Sequence, residues 1–206
     1  MIKFALTRFQ LMLQFIAESN ERYSIAETVQ MAIEGGCRWI ELHMPDSDDS
    51  EIREVASELI PLCRESGVFL TIEDRPGLAR ELGLHGVVMT SLATTALKFR
   101  EDLGPEAIIG LRVATTPAVV AIQNADIDYV TLPPDMPVGA IAQFMDELKP
   151  TGITIPVVAT GDINLENAAA YMATGISGVA TATPAYAKDP VEYTSRLIEA
   201  LEKSKC

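Results

Sequence analysis

A short motif recurs four times along the chain, and it constrains the fold more than any other feature of the sequence. In each copy a helical stretch ends at small residues or at Asn-Ala, and a β-prone run begins shortly afterwards. The copies are EGGCRWIEL, ELGLHGVVM, QNADIDYVTL and ATGISGVAT. Repeated helix-to-strand junctions of this kind are typical of βα units whose strands lie parallel in one sheet.

The predicted elements alternate over the whole chain. We predict strands over residues 2–6, 39–43, 68–72, 85–89, 107–113, 129–132, 155–159 and 176–180. We predict helices over residues 9–16, 25–33, 50–66, 78–82, 92–103, 117–123, 138–148, 165–174 and 191–201. About eight strands alternating with about eight helices indicate an α/β fold, a single (β/α)8 TIM-barrel domain over residues 1–206. A doubly wound open sheet has the same alternation, but no G-x-G-x-x-G motif follows the first strand, which disfavours a dinucleotide-binding fold.

The composition limits the kinds of partner that the protein can have. Apolar residues make up 48% of the chain, and the net charge of −13 disfavours binding to nucleic acid through a basic face. Cys37, Cys63 and Cys206 lack metal-like spacing, which favours free thiols in a reducing compartment. No stretch is apolar and long enough for a membrane span, and MIKFALTRFQ lacks a signal-peptide pattern. We therefore expect a cytoplasmic protein.

Residues 155–188 form the most informative βαβ unit of the chain. Its two strands are followed by turns of small residues, one at Gly161 and one at Thr183. Such turns expose backbone N–H groups that can hold a phosphate, and TIM barrels commonly bind phosphate after their last two strands. The alternative is that both turns are merely tight connections between a strand and a helix.

Charged side chains cluster at the predicted carboxyl ends of the strands. Glu41 and His43 share one face of a strand, and Glu73 and Arg112 lie near the ends of two other strands. One interpretation is a set of structural ion pairs, with Arg112 paired to Glu41 or Glu73. The other is a polar pocket for a phosphorylated or cationic small molecule, in which His43 could act as an acid or a base. His85 begins a strand, so we interpret it as structural.

A metal site is suggested by a single carboxylate. Asp74 follows a strand, and Mg²⁺ typically binds one or two carboxylates together with substrate phosphate. No second acidic residue follows the next strand, where the sequence is Thr90-Ser91-Leu92-Ala93.

Three segments carry a resemblance to a known family: TIEDRPGLARELGLHGVVM, GPEAIIGLRV and IPVVATGDINLENAAAYMATGISGVATATPAYAKDP. From Ala32 onwards the order and spacing resemble the thiamine phosphate synthase/TenI family. The resemblance implies a (β/α)8 barrel that is usually a homodimer. Synthases of the family use Mg²⁺ to join an aminopyrimidine pyrophosphate to a thiazole phosphate and release pyrophosphate. TenI-type members instead isomerise a thiazole phosphate or have lost synthase chemistry.

The resemblance places the family's thiazole-phosphate contacts on the last two strand ends. They fall on Gly161 and on Thr183, with Ala182 beside it. The usual second Gly is replaced by Asp162, whose carboxylate would repel a phosphate.

The resemblance also implies that much of the synthase site is replaced. The family's Gln-x-Arg-x-Lys becomes Glu41, His43 and Pro45, and its pyrimidine-binding Asn becomes Glu73. Its first metal Asp is retained as Asp74. The second metal Asp becomes Ala93, the Ser after the fifth strand becomes Arg112, and the Lys expected after the sixth strand is absent from LPPDMPV. These changes remove positive charge that a pyrophosphate leaving group needs.

Three hypotheses for the function follow. The first is an enzyme of thiamine metabolism, a synthase or a TenI-like isomerase. The second is a barrel that binds a small phosphorylated or cationic ligand without synthase chemistry. The third is a non-catalytic partner subunit that uses residues 9–16 as an interface. GGCRWIELHM is also similar to the 2-keto-3-deoxy-gluconate-phosphate aldolases, but the Schiff-base Lys that they need is missing at residues 131–135.

Overall fold

The computed structural model describes residues 12–91 and 96–204, without the side chains of residues 96–99. The strands are β1 (Leu13–Ala17), β2 (Trp39–Leu42), β3 (Phe69–Glu73), β4 (Gly86–Met89), β5 (Ile108–Arg112), β6 (Tyr129–Thr131), β7 (Val157–Thr160) and β8 (Gly178–Thr181). The helices are α1 (Ile25–Glu34), α2 (Asp49–Ser66), α3 (Pro76–Leu82), α4 (Ala96–Leu103), α5 (Thr116–Ile122), α6 (Val138–Leu148), α7 (Ala168–Ala173) and α8 (Pro190–Lys203). Two 3₁₀ turns cover Lys149–Thr151 and Thr183–Tyr186.

The eight strands close into a parallel barrel in chain order. Each strand pairs with its sequence neighbours, and β1 closes the barrel by pairing in parallel with β8, where Leu13 is opposite Val179. A helix follows each strand, so the predicted TIM barrel is confirmed. Because all strands run in one direction, their carboxyl ends and the loops that follow them meet at one rim.

The prediction for the first barrel segment is wrong. The sequence pattern predicts a helix over residues 9–16, but residues 13–17 form strand β1. The predicted strand over residues 2–6 lies outside the described residues. The run MLQFIA is apolar at nearly every position, and a short apolar run does not distinguish a buried strand from a buried helix. Leu13 and Phe15 are buried in the barrel wall, so the part of 9–16 that is described does not offer a subunit interface.

Two apolar layers hold the barrel together. The larger layer lies between the strands and the helices, whereas a smaller cluster fills the barrel interior. In that interior the rings of Trp39 and Tyr129 meet edge to face at 4.8 Å. Gly110 lies against Tyr129 and has no room for a side chain, since a Cβ there would lie 2.2 Å from the ring. The buried Gln14 donates to the Tyr129 hydroxyl at 3.3 Å, so polar groups extend into the barrel from the rim.

Local capping matches the sequence pattern at α1. Ser24 and Glu27 form a complete capping box, as their spacing predicts.

No helix in the described parts of the chain combines the length and the apolar character needed to cross a membrane.

Candidate functional site

A cavity of about 490 Å³ opens at the carboxyl-terminal rim of the barrel. Its wall is formed by the ends of β1, β2, β5, β7 and β8 and by the loop after β6. The residues that line it are Ile16, Glu18, Glu41, His43, Arg112, Pro134, Thr160, Gly161, Asp162, Thr181, Ala182, Thr183 and Tyr186. Most of the predicted site residues therefore meet around one cavity.

Glu73 links two of the predicted cations beside this cavity. Its Oε2 lies 2.9 Å from His43 Nδ1, and its Oε1 accepts a hydrogen bond from Arg112 Nη2 at 3.1 Å. The side chain of Glu73 is 8% exposed, so both contacts are shielded from solvent. The predicted ion pair of Arg112 is thus formed with Glu73. Of the two paired residues, Arg112 lines the cavity.

Glu41 is a largely buried acidic residue of the cavity wall. Glu41 is 3% exposed, lines the cavity, and makes no hydrogen bond to any residue that the structure describes. Burial, together with the nearby charge of Glu73, raises the pKa of Glu41 to about 7, although the charges of His43 and Arg112 oppose this shift. A carboxyl group in this state can accept or release a proton near neutral pH.

The pKa values of His43 and Glu73 are shifted by their contact. The hydrogen bond to Glu73, together with the charges of Glu73, Glu41 and Glu18, raises the pKa of His43 above its ordinary value against the opposing effect of burial. Burial raises the pKa of Glu73, but the hydrogen bonds and charges of His43 and Arg112 hold it below its ordinary value. The pair therefore favours an imidazolium next to a carboxylate.

The predicted phosphate-binding turns after β7 and β8 are close together, but three of their donors are engaged within the protein. The Thr183 hydroxyl donates to Asp162 Oδ1 at 3.0 Å, and the Thr183 N–H donates to Thr181 Oγ1 at 3.1 Å. The N–H of Gly161 donates to the carbonyl of Ala180 at 3.1 Å. A phosphate would have to displace Asp162 in order to reach the Thr183 hydroxyl.

Gly161 also brings the β6 loop close to the cavity. Its φ of 148° is unusual for other residues, and a Cβ at this position would lie 2.6 Å from the carbonyl oxygen of Pro134. The turn thus requires a Gly for packing, independently of any ligand.

Comparisons with known proteins agree with this architecture. The sequence model of the thiamine monophosphate synthase (TMP-TENI) family matches residues 13–184. The chain belongs to this family. It is 34% identical over 201 residues to the Bacteroides fragilis protein named thiamine-phosphate synthase, with 91% of this chain and 98% of the relative covered.

Solved structures show the same fold. The thiamine phosphate pyrophosphorylase from Pyrococcus furiosus superposes with a TM-score of 0.82 at 25% identity, over 96% of this chain and 98% of that one. A 4-hydroxy-2-oxoglutarate aldolase superposes with a TM-score of 0.68 at 17% identity, over 98% of this chain and 97% of that one. Its identity is low, so this second likeness shows the fold alone.

Asp74, the residue that the TMP-TENI resemblance assigns to Mg²⁺, has both carboxylate oxygens hydrogen-bonded to Thr90. Asp74 Oδ1 accepts from the Thr90 N–H at 2.8 Å, and Oδ2 accepts from the Thr90 hydroxyl. The backbone of Asp74 has a φ of 49°, in the left-handed region, and the two hydrogen bonds hold its side chain against Thr90 after β4. Both oxygens of Asp74 accept hydrogen bonds from Thr90, and the resemblance places Ala93 where a second acid would stand. These two positions therefore offer a Mg²⁺ ion one carboxylate, which is already hydrogen-bonded.

Glu18 and Tyr186 are two polar residues of the cavity that the sequence pattern does not predict. Glu18 follows β1 and Tyr186 follows β8, and the Tyr186 hydroxyl donates to Glu18 Oε1 at 2.5 Å across the cavity mouth. This contact raises the pKa of Tyr186 to about 12. The helix predicted over residues 9–16 does not place Glu18 at a strand end. With residues 13–17 taken as a strand, its position would have been evident.

The remaining His and the described thiols lie elsewhere. His85 precedes β4 at the opposite end of the barrel, where its Nδ1 accepts from the Leu70 N–H at 3.1 Å, in agreement with a structural role. Burial raises the pKa of Cys37 to about 11 and that of Cys63 to about 12, so neither thiol forms the thiolate easily.

Proposed function

We propose that this chain binds one phosphorylated heterocyclic precursor of thiamine, a thiazole phosphate, in the rim cavity and does not join two precursors. The observation that carries this proposal is the charge of the cavity wall. Glu18, Glu41 and Asp162 face the cavity, and the guanidinium of Arg112 is paired with Glu73. No Lys is among the residues that line the cavity in the described part of the chain.

The coupling reaction needs the opposite charge. Release of pyrophosphate develops negative charge, which active sites stabilise with fixed cations, N–H donors or metal ions. In this cavity the carboxylates of Glu18, Glu41 and Asp162 line the wall instead of such cations, so the barrier to pyrophosphate departure would remain high. A monophosphate carries less charge and needs only the turns after β7 and β8.

The class of ligand is supported by the family. The relatives that align over nearly their whole length are named thiamine-phosphate synthases, and the matched region includes both turns. The phosphate would replace Asp162 as the partner of the Thr183 hydroxyl, while the heterocycle would extend toward Glu41 and His43.

One further observation favours isomerisation of the bound thiazole phosphate over binding alone. The carboxyl group of Glu41 faces the cavity without a hydrogen-bond partner in the described chain, next to the imidazole of His43. Such a pair can move a proton on a bound heterocycle, which is the isomerisation that the resemblance implies for TenI-type proteins.

Isothermal titration calorimetry with separate ligands tests the proposal. We expect the thiazole phosphate to bind, the dephosphorylated thiazole to bind at least about tenfold more weakly, and the aminopyrimidine pyrophosphate not to bind measurably. Thr183→Val should weaken binding of the thiazole phosphate. Thr174→Val is the matched control, because the Thr174 hydroxyl donates to the Tyr171 carbonyl at the end of α7.

Two results would overturn the proposal. One is equal binding of the phosphorylated and dephosphorylated thiazole, and the other is preferential binding of the aminopyrimidine pyrophosphate. NMR spectra of the bound thiazole phosphate then show whether it is isomerised, and an unchanged spectrum would leave the chain as a binding protein.

A further inference from the structure

We propose that Glu41, His43 and Glu73 form a binding site for a divalent transition-metal ion, such as Zn²⁺ or Mn²⁺, at the carboxyl ends of β2 and β3. Each residue contributes one potential ligand atom, and these atoms all lie within 4.8 Å of one another. In the described part of the chain this is the one cluster of its kind.

The spacing of the ligand atoms fits an ion with small adjustments. Metal–ligand distances of about 2.0–2.2 Å place neighbouring ligand atoms roughly 3 Å apart. His43 Nδ1 and Glu73 Oε2 are already 2.9 Å apart. An ion would take the place of the proton that these two atoms share, and only Glu41 would need to move inward.

Glu41 supplies an independent reason to expect a cation here. A buried carboxyl group normally has a hydrogen-bond or ionic partner, because its transfer from water is costly. Glu41 is 3% exposed, and its ligand atom lies within 4.8 Å of those of His43 and Glu73, so two carboxylates share a largely buried place. A bound cation would offset their mutual repulsion.

Arg112 orients the site without blocking it. Its guanidinium holds Glu73 Oε1 and leaves Oε2 directed toward His43. Carboxylates that bind metals are commonly held by such outer contacts, which fix the direction of the remaining oxygen.

The ligand set favours transition metals over Mg²⁺. One imidazole with two carboxylates is a mixed nitrogen and oxygen set, whereas Mg²⁺ prefers oxygen ligands and retains several waters. The site also differs from Asp74, whose oxygens are engaged by Thr90. A bound ion would add positive charge at the carboxyl ends of β2 and β3.

Titration of the free protein with metal tests this inference independently of any thiamine precursor. Untagged protein is stripped with EDTA, dialysed, and titrated with Zn²⁺ by calorimetry and with Co²⁺ by visible absorption. We expect one ion per chain and ligand-field bands typical of nitrogen and oxygen coordination. Glu41→Gln and Glu73→Gln should each weaken binding on the order of tenfold to a hundredfold or more.

Glu18→Gln is the matched control. It removes the same charge from the same cavity but lies outside the cluster, so it should change the affinity by no more than about threefold. Equal binding by wild type and by Glu41→Gln would overturn the inference, as would an equal loss in Glu18→Gln or the absence of binding by wild type.

A second measurement does not depend on whether the variants fold. The chain has 2 His residues, so the imidazole NMR spectrum of the wild type resolves His43 from His85. Zn²⁺ should shift the His43 resonances and leave those of His85 unchanged. A shift of His85 alone, or of neither residue, would overturn the inference.

Discussion

At the scale of single residues, Asp162 is the side chain that most directly opposes an anionic ligand. It accepts the Thr183 hydroxyl at 3.0 Å and places a carboxylate where the proposed phosphate binds. Asp162→Gly should therefore tighten binding of the thiazole phosphate by about tenfold, since removal of one close like charge in a partly solvated site contributes on the order of 1 kcal/mol. Calorimetry at low ionic strength measures this effect.

Asp162→Asn separates charge from hydrogen bonding in that experiment. The amide oxygen can still accept the Thr183 hydroxyl, but it carries no charge. Affinity that rises in Asp162→Gly alone indicates that the hydrogen bond competes with the ligand, whereas a rise in both variants indicates repulsion. Unchanged affinity in both would contradict the role of Asp162.

Glu41 should make the stability of the fold depend on pH. Burial raises its folded-state pKa to about 7, above the ordinary 4.5. Between these values the folded protein retains a proton that the unfolded chain releases, so the free energy of unfolding falls as the pH rises. The loss is of the order of 3 kcal/mol when complete. His43 and Glu73 add pH dependence of their own, so the comparison with a variant is decisive.

Glu41→Gln removes the titration of this carboxyl group. Urea unfolding in EDTA at about pH 5 and about pH 8 should show a smaller fall in stability for the variant than for the wild type. Glu58→Gln on the exposed face of α2 is the control and should leave the difference unchanged. An identical fall in wild type and Glu41→Gln would show that Glu41 ionises normally.

The charged residues of the site could be predicted because period-two alternation places them. Glu41 and His43 share a face of β2, and the ends of parallel strands meet at one rim, so their proximity to Glu73 and Arg112 follows from the sequence. Which carboxylate pairs with Arg112 could not be predicted, since both were within reach. The hydrogen bond from the Thr183 hydroxyl to Asp162 also could not be predicted, because it depends on the geometry of two loops that no sequence pattern encodes.

At the scale of elements, β5 and β6 are coupled by the contact between Gly110 and Tyr129. Because a Cβ on Gly110 would lie 2.2 Å from the buried ring, Gly110→Ala should destabilise the protein by about 1–3 kcal/mol or more. Gly139→Ala on α6 is the opposite case. No atom lies within 4 Å of the added methyl group, and Ala should stabilise the helix by about 0.5–1 kcal/mol.

Urea unfolding of both variants checks this pair of predictions. Tyr129→Leu should partly rescue Gly110→Ala in the double variant, because the smaller side chain yields space to the new methyl group. Similar stability of Gly110→Ala and wild type would show that the interior of the barrel is less tightly packed than the structure indicates.

The elements from β2 to α8 follow from the sequence, whereas β1 does not. The later strands are bounded by Gly, Pro or Asn and alternate with amphipathic helices, so length and punctuation identify them. The run MLQFIA is not bounded by Gly, Pro or Asn, and its apolar and polar residues do not alternate. It forms a strand because it pairs with β2 and β8. Long-range pairing of this kind is not encoded in a local pattern.

At the scale of the whole molecule, the family and the cavity give different indications. The chain aligns with thiamine-phosphate synthases over the full barrel, including both turns after β7 and β8. The cavity is nevertheless lined by Glu18, Glu41 and Asp162, and its Arg112 is paired with Glu73. On the function proposed above, the barrel binds a thiazole phosphate but does not catalyse pyrophosphate release.

A coupling assay tests this conclusion most directly. The protein is incubated with aminopyrimidine pyrophosphate, thiazole phosphate and Mg²⁺, and thiamine phosphate is quantified, with the Bacteroides fragilis relative named thiamine-phosphate synthase as the positive control. We predict no thiamine phosphate above the uncatalysed background, even though the thiazole phosphate binds. Formation of thiamine phosphate at a rate comparable to that of the relative would contradict the account.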